Sequence, residues 1–262
     1  MAGRLKAIGY DNPSMPFLTA AGLGIIPGCT RVTALGHNPN IAVAGTAADV
    51  WEGGGDYPFL AAASQLEVLS ASANDTAAGT GARTVLVSGL DANYNPISET
   101  VTLNGVTPVA TVRNYLRVNV FTTVTSGSGH VNAGDITLRV VSGGTTQSIA
   151  RAGIGFGNSA VFTVQAGFTL FILSEVFSVL APDPKTNAGV FIGGQLISSA
   201  GNKRIPLQFE VLSTSPYRHD AALGIVLTEK SDFTIRVTNA QQINTNVSAA
   251  MEGLLVDNLL LS

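Results

Sequence analysis

Charge is scarce in this sequence. Asp, Glu, Lys and Arg make up 12% of its 262 residues, about half the ~25% of an ordinary globular domain. The surface must therefore be built from Ser, Thr, Asn, Gly and Ala. Such a surface suits a protein held in an assembly, because a charge buried at a contact costs desolvation energy. Secreted β-proteins and carbohydrate binders share it. The formal net charge is -3 and no basic run exists, which argues against nucleic acid as a partner. Cysteine occurs once, at Cys29. No internal disulfide can form, so this is not a disulfide-stapled secreted scaffold. Cys29 follows Pro27 and Gly28 and reads as a small apolar residue rather than a nucleophile. Aromatics are few, at 6%. Trp51, Tyr57, Tyr94, Tyr115 and Tyr217 are scattered, which favours core or interface filling over stacking on sugars. Long apolar runs are missing too. The most apolar stretch, 160–180, is interrupted by Thr163, Gln165, Gly167, Ser174 and Glu175, so no membrane span is expected. The opening MAGRLK lacks the apolar core of a signal peptide, and synthesis in a cytoplasm is the default expectation.

What is present is β-structure. The clearest stretch is 70–105. A polar, Gly-rich lead-in gives way at Arg83 to an alternating run over 84–90. A turn-rich break, Asp91 to Pro96, comes next. A second alternating run ends at Asn104 and Gly105. Period-two alternation bounded by Asn, Asp, Gly and Pro predicts half-buried antiparallel strands. Further strands are expected at 108–125, broken near Arg113 and Asn114, and at 135–141. A second group is expected at 149–157, 159–164, 168–180, 189–197, 205–213, 223–228, 233–238 and 247–256. Gly167 supplies the positive φ of a tight hairpin. The expected turns include Asp183 with Pro184. One helical turn fits 47–51, and 60–69 suits helix or strand. The Gly- and Thr-rich stretch 142–147 reads as a linker. The fold class is therefore all-β. An extended N-terminal arm (1–40) precedes two antiparallel β-sandwich, jelly-roll-like domains, at 41–144 and 148–262.

The arm is rich in Pro and Gly, which forbids long regular elements, yet it is apolar. A segment that cannot fold alone and is not polar enough for a disordered tail lies on something, its own domain or a neighbour. Phe17, Leu18, Leu23, Ile25, Ile26, Val32 and Leu35 are the candidate assembly contacts.

No set of residues carries a reaction. Asp91, Asn93 and Asn95 open like a calcium loop, but Pro96 and Thr102 stand where Gly and a bidentate Glu are required. Gly79-Thr80-Gly81 lacks the ending of a phosphate loop and precedes a strand, so it reads as a mobile loop tip. His37, His130 and His219 are far apart and read as surface residues. Asp220 sits beside His219, but no Gly-x-Ser-x-Gly elbow accompanies them. No catalytic residue, metal or cofactor is expected.

Two groups of motifs resemble segments of virion structural proteins of tailed bacteriophages. The first is SASANDTAAGTGARTV (70–85), SGLD (88–91) and ETVTLNG (99–105). The second is AVFTVQAGFTL (160–170), TEKSDFTIR (228–236) and VSAAMEGLLV (247–256). AVFTVQAG resembles the Tyr-Thr-Val-Pro-Ala-Gly hairpin of those proteins, with Gln165 in place of Pro. The resemblance covers about residues 40–257. It implies a non-enzymatic virion component made in a host bacterial cytoplasm. The first choice is a capsid decoration or cement protein, and the alternative is a tail or fibre component, either a fibre adaptor or a host-attachment module. The implied partners are the chain itself, as a homo-oligomer and most plausibly a trimer, and the major capsid protein or tail proteins. A glycan receptor enters under the tail alternative.

Overall fold

The computed structural model describes residues 15–41, 47–181, 189–213, 216–242 and 244–261. Residues 1–14 of the expected arm, and the expected turn at Asp183 and Pro184, lie outside the described residues. The protein is all-β, 57% strand and 4% helix. A short helix, α1 (Phe17–Gly22), comes first. The strands follow: β1 (Cys29–Ile41), β2 (Ala48–Asp49), β3 (Ser64–Ser70), β4 (Ala82–Leu90), β5 (Pro96–Thr102), β6 (Val109–Tyr115), β7 (Arg117–Ser126), β8 (Ile136–Val140), β9 (Thr146–Ala150), β10 (Val161–Thr163), β11 (Phe168–Leu180), β12 (Gly189–Ile197), β13 (Lys203–Arg204), β14 (Phe209–Leu212), β15 (Tyr217–Leu227), β16 (Asp232–Ala240) and β17 (Thr245–Asp257). A 3-10 turn, Asn258–Leu260, comes next.

Two pairs of antiparallel sheets each enclose a core. In the larger sandwich one sheet runs β1-β17-β11-β15. The other runs β10-β16-β12-β13, with β14 also on β12 and β2 on β16. Leu170, Ile172, Phe177, Ile192, Phe233, Ile235 and Met251 fill the space between them. The smaller sandwich packs β6-β3-β8-β9 over β5-β4-β7, around Leu66, Val68, Val85, Val87, Tyr115, Ile136 and Leu138. Alternation does the sorting. On β4, Val85 and Val87 point inward while Leu86 and Ser88 are half-exposed on the other face. On β11 a bulge between Ile172 and Ser174 shifts the phase, so Glu175 joins Phe177 and Val179 among the buried positions.

The smaller sandwich, 64–150, is inserted into the larger one. β1 and β2 precede it, yet β1 pairs with β17 from Cys29↔Val256 onward and β2 pairs with β16. The chain leaves and re-enters the larger sandwich side by side at a narrow neck. There Trp51 bridges Ser159, and the Ala160 amide donates to the Val50 carbonyl at 3.0 Å.

The sheets of this arrangement are not laid out along the sequential division into 1–40, 41–144 and 148–262. From Cys29 onward the expected arm is instead an edge strand of the larger sandwich. Ala34, Gly36 and Asn38 are buried, and their partner strand lies at the far end of the chain, beyond the reach of any local pattern. The expected linker, 142–147, is the hairpin between β8 and β9, with Ser142 and Gly143 in the left-handed region. Small, flexible, polar residues serve a hairpin as well as a linker. The helical turn at 47–51 is instead β2 and the Trp51 bridge, and 60–69 resolves into β3. The strand at 108–125 breaks at Leu116 rather than near Arg113.

Gly36 packs against the neck, where an added Cβ collides with the Val50 carbonyl and the Ala160 amide. Gly36→Ala is therefore expected to lower stability by roughly 1–3 kcal/mol, the usual cost of overpacking, and a urea unfolding curve measures it. Unchanged stability would show that the neck yields freely.

Candidate assembly surface and inter-sandwich cleft

The outer face of the β1-β17-β11-β15 sheet is capped at one end. There α1 lays Ala20 and Ala21 against Leu254 and Val256, with Ile26, Cys29 and the half-buried Phe17, Phe171 and Leu260 closing the cluster. Cys29 is buried, and burial raises its thiol pKa further from reactivity. The cap turns apolar side chains outward as well: Leu18, Ile25 and Leu23 are exposed, Leu23 at 65%. Leu259 of the 3-10 turn is 82% exposed. Of the seven candidate contacts, Leu18, Leu23, Ile25 and Leu35 therefore face outward. Ile26 is buried in the cap, while Phe17 and Val32 pack partly against the protein's own cores. These three serve the fold.

The middle of that sheet face is uncharged, flanked by the exposed pairs Arg31–Glu252 and Arg218–Asp220. Leu35 stands opposite Ala250, which stands opposite Val176, with Ser178 and Ser248 beside them. The smaller sandwich presents a similar face. Thr84, Leu86 and Ser88 on β4 align with Thr102, Thr100 and Ser98 on β5, and Thr122 and Val120 on β7 extend the rows.

Most of the buried carboxylates with arginine partners gather at the junction of the sandwiches. Arg117 of β7 forks onto Asp232 of β16, Nε to Oδ1 at 2.8 Å and Nη2 to Oδ2 at 3.0 Å, and both side chains are buried. The Thr163 hydroxyl donates to the same carboxylate at 2.6 Å. Glu52, on the neck, accepts from Arg151 Nε at 2.7 Å and faces His37 Nδ1 at 2.6 Å. Arg151 also reaches Asp135 at 2.8 Å. Asp49 of β2 accepts from the Tyr57 amide and from Arg236, which bridges on to Asp56. Burial raises the Asp49 pKa, and the Tyr57 amide and Arg236 offset only part of that. None of these long-range pairs is legible locally.

The histidine expectation is corrected in two of three cases. His37 is held between Glu52 and Asn246. His219 lies 3.4 Å from Glu175, a carboxylate inside the larger core with 1% side-chain exposure. Neither Glu175 oxygen has an aligned hydrogen-bond donor among the described residues. Gly194 on the facing sheet leaves room for it, since a Cβ there would strike Glu175 Oε1. Burial raises the Glu175 pKa, and the His219 contact only partly opposes that. His130 alone stays exposed in a turn, with φ 59°.

Two loops also depart from expectation. The Gly79–Gly81 stretch is tied down by Asp75, which is fully buried. Its carboxylate accepts from the Ser70 hydroxyl and from the amides of Ala82, Ala133 and Gly134. Asp91 folds onto its own loop, and the amides of Asn95 and Asn93 hold its carboxyl below the usual range. That is a hairpin connection, as the failed calcium pattern implied.

A cleft of about 500 Å³ opens at the junction. Phe59, Tyr94 and Arg117 form one wall. Gln195, Ser198, Lys203 and Lys230 line the other. Arg117 stacks over Phe59 with its guanidinium 4.9 Å from the ring centroid. Tyr57 meets Phe59 edge-on at 4.9 Å and Trp51 at 5.2 Å. Trp51 and Tyr57 are core residues, as expected, while Phe59 and Tyr94 are half-exposed on the cleft.

No protein-family model and no curated protein matches the chain. Among solved structures it is similar to one of infectious bursal disease virus Gt strain, at 12% identity and a TM-score of 0.26, covering 93% of this chain and 78% of that one. It is also similar to infectious bursal virus derived T=1 particles, at 13% identity and a TM-score of 0.27, covering 88% and 70%. Likeness at that level specifies neither a topology nor a role.

Two expectations follow. Arg117→Met leaves the Asp232 carboxylate buried without its cation, and should cost roughly 3–5 kcal/mol. The double variant Arg117→Met/Asp232→Leu should recover much of that loss, measured by the same denaturant titration. Glu175 binds its proton more tightly folded than unfolded, so it lowers stability at neutral pH, and this penalty fades as pH falls from the raised folded pKa toward the ordinary 4.5. Glu175→Gln should therefore raise the melting temperature at pH 7–8 and match the parent below about pH 4.5. Equal melting temperatures across that range would contradict the assignment.

Proposed function

We propose that this chain is a non-enzymatic structural component of a tailed-phage virion, made in the host cytoplasm and acting as a capsid decoration or cement protein. The observation that carries this is the distribution of charge and apolar surface. The best-buried ion pairs sit at the junction, while the outer sheet faces are largely Thr, Ser, Ala and Val, with exposed Arg31–Glu252 and Arg218–Asp220 pairs on the larger sandwich, and an apolar cap projects Leu18, Leu23 and Ile25. Such faces dock on other polypeptides with little desolvation cost. The motif resemblance in 70–105 and 160–256 agrees with it.

The mechanism is attachment by burial. The segment 15–28 lies against a neighbouring shell subunit, and the uncharged sheet faces meet copies of the same chain in a trimer. Apolar burial contributes roughly 25 cal/mol per Å², and a stable contact needs about 800 Å² per partner. Together these clamp a shell against internal pressure.

A tail or fibre component is the second reading, and the inter-sandwich cleft favours it. An attachment module needs a concave site with aromatic and hydrogen-bonding walls, and a cement protein does not.

The triple variant Leu18→Asp/Leu23→Asp/Ile25→Asp alters exposed side chains only. It should keep the parental melting temperature and lose particle binding in a co-sedimentation assay. Retention of full binding would sink the cap as the attachment surface. Gel densitometry of purified particles separates the two readings. A decoration protein appears in numbers comparable with the shell protein, and a tail part in a small fraction of that.

A further inference from the structure

The inter-sandwich cleft has a charge pattern that the fold does not need. Asp232 is satisfied by Arg117, and Asp49 and Asp56 share Arg236. Lys203 and Lys230 line the same cleft, are exposed, and have no carboxylate partner among the described residues. The lining itself balances, with Asp49, Asp56 and Asp232 against Arg117, Lys203 and Lys230, but Arg236 behind the wall draws on Asp49 and Asp56, so the uncompensated positive charge falls on the two lysines.

Backbone geometry fixes the positions of both on the cleft lining. Lys203 pairs with Ile197 across the β12–β13 hairpin, and Ile197 pairs with Asp232 on its other side. Residues directly opposite in adjacent strands share a face, so Lys203, Ile197 and Asp232 form one row on the cleft side of the sheet. Lys230 is held in the left-handed region (φ 60°) by its turn, with its amide on the Val164 carbonyl. Tyr94 faces them from the smaller sandwich. Its backbone is also left-handed (φ 63°), and its carbonyl is fixed by the Ala166 amide at 3.0 Å. Tyrosine adopts that conformation at a cost.

We propose that this cleft binds an acidic saccharide unit. The carboxylate of a hexuronate meets Lys203 and Lys230, the C–H face of its ring lies on Tyr94, and its hydroxyls find Ser198, Ser199 and Gln195. The volume of about 500 Å³ falls within the range typical of small-ligand sites. A nucleotide would also use cations and an aromatic face. The serine-rich wall suits a ligand whose edges are all hydroxyls, and so favours the sugar. The inference does not depend on where the protein sits in a particle.

Calorimetric titration of the full chain tests it, with trigalacturonate as probe and galactotriose, inorganic phosphate and AMP as comparators. Trigalacturonate should bind at least about tenfold more tightly than any comparator. Lys203→Ala/Lys230→Ala should weaken it by about tenfold or more and remove most of its salt dependence. Tyr94→Asn removes the ring but keeps a residue that tolerates positive φ, and it should weaken trigalacturonate without lowering the melting temperature. Absence of trigalacturonate binding at millimolar ligand overturns the proposal. So does equal affinity for galactotriose, equal or tighter binding of phosphate or AMP, or indifference to the lysine substitutions.

Discussion

The fold depends on carboxylates that have been taken out of water at the neck. To insert one sandwich into another, the chain must cross the same narrow passage twice, and Asp49, Glu52 and Asp232 sit where that crossing excludes solvent. An unpaired buried charge costs several kcal/mol, so each needs a cation delivered from a distant part of the chain. Arg236, Arg151 and Arg117 supply it. The Arg117–Asp232 and Arg151–Glu52 pairs join residues separated by 115 and 99 positions. They form only when both sandwiches are in place. The junction is therefore specific without a broad apolar interface.

The outside of the molecule follows from the same economy of charge. With the junction ion pairs drawn inward, the sheet faces keep mostly short hydroxyl and aliphatic side chains, and the α1 cap keeps exposed leucines. Such surfaces cost little to desolvate. Lys203 and Lys230 stand apart, left without carboxylate partners among the described residues and beside half-exposed aromatics. Glu175 is the inverse case, a carboxylate that a β-bulge turns into the core beside His219, in a space that Gly194 keeps open.

Much of the β-structure was legible. The strands at 168–180 and 189–197 follow the sequence pattern residue for residue, because alternation and flanking turns are local properties. The reading failed wherever one composition serves two topologies. The stretch 142–147 has a linker's residues and makes a hairpin. The segment 29–41 has the Pro and Gly of an arm and becomes an edge strand, because its buried face finds β17. Of the candidate contacts, Leu18, Leu23, Ile25 and Leu35 lie on the surface, but nothing local separates them from Ile26, which the cap buries. The cleft was invisible for the same reason. Phe59, Tyr94, Lys203 and Lys230 are scattered along the chain and share no spacing.

By itself, then, the sequence determined the all-β class, most strand positions, the neutral surface and the absence of a disulfide. These rest on side-chain period, turn chemistry and composition, and each acts within a few residues. Only the tertiary structure decided that one sandwich is inserted in the other, which carboxylates meet which arginines, and which aromatics face the cleft. Those outcomes turn on pairings across a hundred residues or more, where burial and charge neutralisation must be satisfied together.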